Sequence, residues 1–170
     1  MRLSHLKIQT YSYRFAEEVI NSNLSLKKEI EEILQSDFDE SYLSRPGFNR
    51  LIEIEFKERM WISQPPLFEE AGDPATKMDF LKNRLGVEVQ FGHSSFIGID
   101  LLKFQVASYS GLNKIDIGIY IVTTKHFQRT MKNLYNHNWE GSLSFEKVVK
   151  YLPHYKSAIQ VPIYVIGIDC

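Results

Sequence analysis

Hydrophobic residues recur with two different periods along this chain, and the change falls near its middle. In the first half, Phe15, Val19 and Ile20 lie at helical spacing. Asn23 then stands where a cap would open a second helix, with Leu24, Leu26, Ile30, Ile33 and Leu34 on its apolar side. Lys27, Lys28, Glu29, Glu31 and Glu32 fill the positions between them. Residues 36–47 are turn-rich. Residues 48–61 fit two templates: Phe48, Leu51 and Ile52 suit a helix, whereas Ile52, Ile54 and Phe56 alternate as in a strand, and helix is the preferred reading. Pro65 and Pro66 stop that element, and residues 69–77 read as loop.

The second half switches to strands. Residues 78–81 and 86–91 read as two strands joined by the turn at 82–85. Residues 96–109 predict an amphipathic helix with Ile97, Leu101, Phe104 and Ala107 or Ser108 toward a core. The near-continuous apolar run at 115–123 predicts a strand buried on both faces. Residues 143–152 make a short helix, and 161–168 a last buried strand. Tyr109, Tyr120 and Tyr164 are expected in the core or sheet, and Trp139 as a partly buried loop anchor with base stacking as its alternative role. Alternating strands and helices imply an α/β or α+β fold, a central mixed β-sheet flanked by helices. The expectation is one domain over 1–170, with a helical N-terminal part to about 62 and a sheet core from about 76.

Composition narrows the class. The chain has 170 residues, 44% of them hydrophobic and 24% charged, as expected of a globular domain and not of a disordered one. No stretch reaches the roughly 20 apolar residues of a membrane span, so no membrane partner is expected. Neither an apolar signal core at the N-terminus nor a second cysteine beside Cys170 is present, which points to a reduced, cytoplasmic protein. A net charge of −1 speaks against indiscriminate coating of nucleic acid. Its distribution is uneven, however: residues 1–102 carry 12 Lys/Arg against 17 Asp/Glu, and residues 103–157 carry 8 against 3. The basic half suits either a polyanion-facing surface or solvated helix faces.

Candidate chemistry lies in the hairpin. In the strand around Val87, a period of two puts Val87, Val89 and Phe91 on one face and Glu88 and Gln90 together on the other. Asp79, nine residues before Glu88, is brought beside it by a tight hairpin. Two converging carboxylates suit a hard divalent cation, which prefers oxygen ligands and retains waters. On the residues alone, the same alternation more often describes a solvated sheet edge. No phosphate-binding glycine loop and no Gly-x-Ser-x-Gly elbow occur, which argues against the common nucleotide-driven and serine-hydrolase classes.

The segment with Asp79, Glu88 and Gln90 resembles the Bgl II and Bst YI group of type II restriction endonucleases, within the PD-(D/E)XK nuclease superfamily. There a Gln stands in place of the usual lysine, and the three residues match in spacing. Residues 28–34 resemble the group's N-terminal helix and residues 161–167 a late core strand. Trp61, Gln64 and Pro65 resemble the segment that supplies an active-site Asn, which makes Gln64 its equivalent. The resemblance implies a restriction-endonuclease-like fold acting on double-stranded DNA with Mg²⁺, for which Mn²⁺ substitutes, and a homodimer is expected because one centre cuts one strand of a two-fold palindrome. The resemblance also implies metal ligands in Asp79, Glu88 and the Val89 carbonyl, with Gln90 and Gln64 completing the catalytic set.

Base or phosphate contacts are implied for His93, Ser94 and Ser95 after the strand, for Glu140 and Ser142 before the late helix, and for Lys103 on the intervening helix. Lys125 and Arg129, after a strand end, are candidates for phosphate or for plain solvated surface. Gly92, His93 and Glu140 depart from the group's pattern, so the catalytic core is implied but a GATC-centred target is not. The function expected is hydrolysis of DNA phosphodiesters at a short palindromic site, leaving 5′-phosphates. A nuclease directed by DNA structure or damage, and a non-catalytic DNA-binding protein of the same fold, are the alternatives.

Overall fold

Asn83 and Arg84 both take left-handed backbone angles, φ 45° and 66°, and close a two-residue hairpin between strands Phe80–Lys82 (β5) and Leu85–Val89 (β6). Paired positive φ values give a turn whose twist matches that of the flanking strands. The computed structural model describes residues 2–3, 6–67, 76–109 and 113–170. In chain order the remaining elements are Arg2–Leu3 (β1), Lys7–Tyr13 (β2), Ala16–Asn21 (α1), Leu24–Leu34 (α2), Phe38–Asp39 (β3), Arg45–Glu58 (α3) and Ile62–Ser63 (β4). After the hairpin come Ile97–Ser108 (α4), Ile117–Thr123 (β7), Lys125–Tyr135 (α5), Phe145–Tyr151 (α6) and Ile163–Asp169 (β8).

A six-stranded mixed sheet in the order β2-β8-β7-β6-β5-β4 forms the centre. β6, β7 and β8 run parallel, joined by crossovers through α4 and through α5 and α6; β2 at one edge and β5 and β4 at the other are antiparallel. All seven residues of β7 are buried, as its apolar run predicts. Its Ile117, Ile119 and Ile121 share one core with α1, α2, α3 and α5, through residues such as Ile20, Ile30, Phe56 and Phe127. Tyr120 and Val122 on the opposite face share a second core with Phe104 of α4 and Phe145 of α6.

Side-chain caps set several boundaries. Ser44 accepts a hydrogen bond from Gly47 N, Thr124 from Phe127 N and Ser144 from Lys147 N, opening α3, α5 and α6. Asn23 holds the capping position of α2, but its side chain donates to Ser22 instead.

The helical reading of 48–61 holds, and α3 begins earlier, at Arg45. The apparently turn-rich stretch before it holds β3 and a 3-10 turn. Two elements lie beyond the pattern reading. β2 pairs with β8 along its whole length, so the expected helical N-terminal part also contributes an edge strand. α5 buries only Phe127 and Met131, one turn apart, amid polar residues. Tyr120 and Tyr164 are buried as expected, but Tyr109 ends α4 half in solvent, 54% exposed. Most of the loop expected at 69–77 lies outside the described residues. Among the described residues no helix is long and apolar enough to cross a membrane.

Candidate active site

Where β5 and β6 leave their ladder, the register carries Asp79 opposite Glu88. Backbone bonds Gln64 N to Asp79 O (2.9 Å) and Met78 N to Pro65 O (3.1 Å) fasten the chain before β5 to the chain after β4. The Asp79 carboxylate accepts from Val89 N at 2.8 Å through one oxygen and from Gln64 Nε2 at 3.2 Å through the other. In an extended strand N–H and C=O of one residue leave by the same edge. The Val89 carbonyl therefore points toward Asp79 as well. Gln64 itself sits at positive φ (54°) on the exposed side of the cluster.

Glu88 points to the face covered by α4 and is 2% exposed, so it is no solvated edge. Lys103 on α4 donates to its Oε2 at 2.8 Å, while Oε1 is buried with no hydrogen-bond partner. Burial pushes the Glu88 carboxyl up to about 9, Asp79 adds to the rise, and Lys103 opposes it. Asp79 is likewise raised, chiefly by burial, against the pull of the Val89 N–H and of Lys103. Burial alone would lower Lys103, but Glu88, Asp100 and Asp79 around it raise it above the ordinary lysine value.

Gln90 continues the same face and is held at both ends. Its Nε2 donates to Asp100 at 2.7 Å and its Oε1 accepts from Gly92 N at 2.9 Å. Asp100, 2% exposed, also accepts from Tyr120 Oη at 2.7 Å. Asp100 was not singled out in the sequence, although a carboxylate on the apolar face of α4 is a detectable signal. Asn49 and Glu53, one turn apart on α3, were missed as well; with Gln64, Asp79 and Val89 they line a cavity of about 190 Å³.

Two carboxylates, one with an orphaned buried oxygen, and a strand carbonyl form a donor set that fits a hard divalent cation. Among the described residues no three His, Cys, Asp or Glu side chains gather into a closed cage. A Mg²⁺-type ion, which keeps most of its waters, does not require one.

The expected DNA-contact residues divide into two groups. His93 bridges Ser142 across an antiparallel contact, Ser94 N donates to Gly141 O at 3.1 Å, and Lys147 Nζ reaches Ser94 Oγ at 2.9 Å. Lys125, Arg129 and Glu140 line an adjoining cleft of about 360 Å³. His93, Ser94, Ser95, Lys125, Arg129 and Glu140 thus form one surface, whereas Ser142, 7% exposed and accepting from Arg45, is buried beneath it, contrary to the expectation of a DNA contact there. Lys103 stands apart from that surface, 11% exposed inside the carboxylate cluster. Trp139 is wholly buried among Phe48, Phe91 and Phe127, with Nε1 donating to Leu43 O at 3.0 Å, and so serves as an anchor and presents no ring to a base.

A mixed sheet that presents an acidic pair at the end of a hairpin, with a helix crossing behind, is the arrangement expected from the sequence resemblance. A family model described as restriction endonuclease BglII/BglIII matches residues 8–168, and the chain belongs to that family. It is therefore an endonuclease, a hydrolase. Among solved structures it is similar to restriction endonuclease BglII complexed with a DNA 16-mer, at TM-score 0.73 and 24% identity, over 95% of this chain and 77% of that one. No curated protein sequence matches it.

Proposed function

We propose that this chain is a homodimeric, Mg²⁺-dependent type II restriction endonuclease, acting in the cytoplasm and hydrolysing double-stranded DNA at a short palindromic site to leave 5′-phosphates. The observation that carries the reading is the buried, unpartnered Glu88 oxygen beside the Asp79 carboxylate. That arrangement is costly in isolation and is relieved by a cation. The related BglII structure was solved with DNA, and a surface bearing Lys125, Arg129 and Lys147 lies on the side of β6 reached through Gly92 and His93. Two-fold symmetry of the dimer would match the two strands of a palindrome.

In this reading Asp79, Glu88 and the Val89 carbonyl hold the ion. When bound, the ion acidifies water, polarises the phosphoryl oxygen and neutralises charge on the leaving oxygen. Gln64, at the open side, orders the attacking water, and the P–O3′ bond breaks as the new P–O bond forms. Gln90 secures Asp100 and the turn at Gly92. The His93–Ser95 segment and Glu140 read the DNA, with Lys125 and Arg129 on phosphates.

The test is a gel of the purified protein with plasmid and unmethylated phage DNA, with and without Mg²⁺, beside Asp79→Ala. Discrete Mg²⁺-dependent fragments that vanish in the variant are expected, and sequencing their ends yields the site and the 5′-phosphate. A smear, or cleavage by Asp79→Ala equal to the parent's, would overturn the reading.

A further inference from the structure

Lysine is rarely buried unless it is paired. Lys103 is 11% exposed, its ammonium 2.8 Å from Glu88 Oε2, 3.6 Å from Asp100 Oδ1 and 3.2 Å from the Lys77 carbonyl. Asp100 lies one helical turn before it on α4, so both side chains descend from the same face onto the sheet. Gln90, which holds the strand position a lysine occupies in most of the superfamily, is neutral and already committed at both ends of its amide. A Cβ on Gly92 would lie 2.7 Å from Gln90 Oε1, which shows how closely that amide is seated. The cluster of Asp79, Glu88 and Asp100 thus takes its positive charge from a helix instead of from the catalytic strand.

We propose that Lys103 is the positioning residue of the active centre. Its ammonium fixes Glu88 by one oxygen and leaves the other directed at the cation site, so that the charge missing at Gln90 is restored from α4. The inference rests on the reading of Asp79 and Glu88 as the catalytic pair. It departs from the sequence-based expectation that Lys103 touches DNA.

The experiment compares the parent, Lys103→Met, the double variant Lys103→Met/Gln90→Lys, and Asp79→Ala. Single-turnover cleavage of supercoiled plasmid is measured in Mg²⁺. Affinity for a linear fragment carrying a mapped cut is measured in Ca²⁺ across a salt series. For Lys103→Met the expected result is a cleavage rate down at least about 100-fold, the scale of a mispositioned catalytic group. Its DNA affinity should stay within about threefold, with an unchanged salt slope, since a phosphate contact would lower that slope by about 1. The double variant, which returns an ammonium beside Asp100, should recover cleavage to within about tenfold of the parent, a rescue that no loss of packing explains. It also stands as the test should Lys103→Met fail to fold. Parent-like cleavage by Lys103→Met, a fall in affinity matching the fall in rate, or a folded double variant that binds DNA without cutting it would each overturn the inference. Undiminished cleavage by Asp79→Ala would instead overturn the reading beneath it.

Discussion

Adding one methyl group to β7 should both destabilise the protein and slow it. Gly118 lies opposite Gly86 in the sheet and directly beneath Phe104 of α4. A Cβ at Gly118 would fall 2.6, 2.7 and 2.9 Å from three atoms of the Phe104 ring. Carbon atoms pack best near 3.5–4.0 Å, so ring and sheet must part by about 1 Å. The ring has little freedom to rotate away, being wholly buried and set edge-on to Tyr120 at 5.8 Å between centroids. The strain therefore passes to α4 as a body. Overpacking of this kind costs about 1–3 kcal/mol, and replacing Gly in a strand returns about 0.5–1 kcal/mol. The expected net loss for Gly118→Ala is on the order of 1 kcal/mol by urea unfolding. The same movement lifts Lys103, one residue before Phe104, off its 2.8 Å contact with Glu88. A 1 Å displacement of such a group is worth about 100-fold in rate. Single-turnover cleavage in saturating Mg²⁺ should fall by that order. A variant that loses the stability but cuts at the parent's rate would refute the link from α4 to the site; one that loses neither would refute the packing argument itself.

Asp79→Ala or Glu88→Ala should reduce cleavage at least about 1,000-fold in a plasmid assay while leaving DNA affinity within a few-fold, because the carboxylates contribute little to groove contacts. In metal-free buffer, Glu88 holds its proton to about 9 in the folded chain against an ordinary value of 4.5. Its contribution to stability is therefore full below the ordinary carboxyl range and is lost as pH rises toward 9. Glu88→Gln should flatten that decline, measured as urea midpoints between pH 5 and 8.5, and parallel profiles would contradict the assignment. Arg129→Ala should weaken DNA binding similarly for all sequences and lower the salt slope by about 1, read from binding titrations over a salt series.

The pairing of Glu88 and Gln90 on one face follows from the period of a strand, and Asp79 beside them from a hairpin short enough to have one register. Those three residues, the buried β7 and β8, and helices α2, α3 and α4 were accordingly legible in the sequence. Less was legible where burial is partial. β2 is an edge strand with polar residues on both faces, so no alternation marks it, and its place beside β8 depends on a partner at least 150 residues away. α5 contacts the core through so few residues that the pattern assigned no element there, although Phe127 and Met131 at i, i+4 with Thr124 as cap carry the signal.

The site divides along the same line. Local spacing determined which carboxylates share a strand face, but only the packing of α4 on that face decided that Glu88 is dry, that Asp100 ties down Gln90, and that Lys103 turns inward. Lys103 looks like any exposed lysine in sequence, because a charge's role is set by what lies across from it and not by its neighbours in the chain. Desolvation is a property of the assembled layers: the sequence named the acids, and the tertiary structure set their charge and supplied their counter-ion.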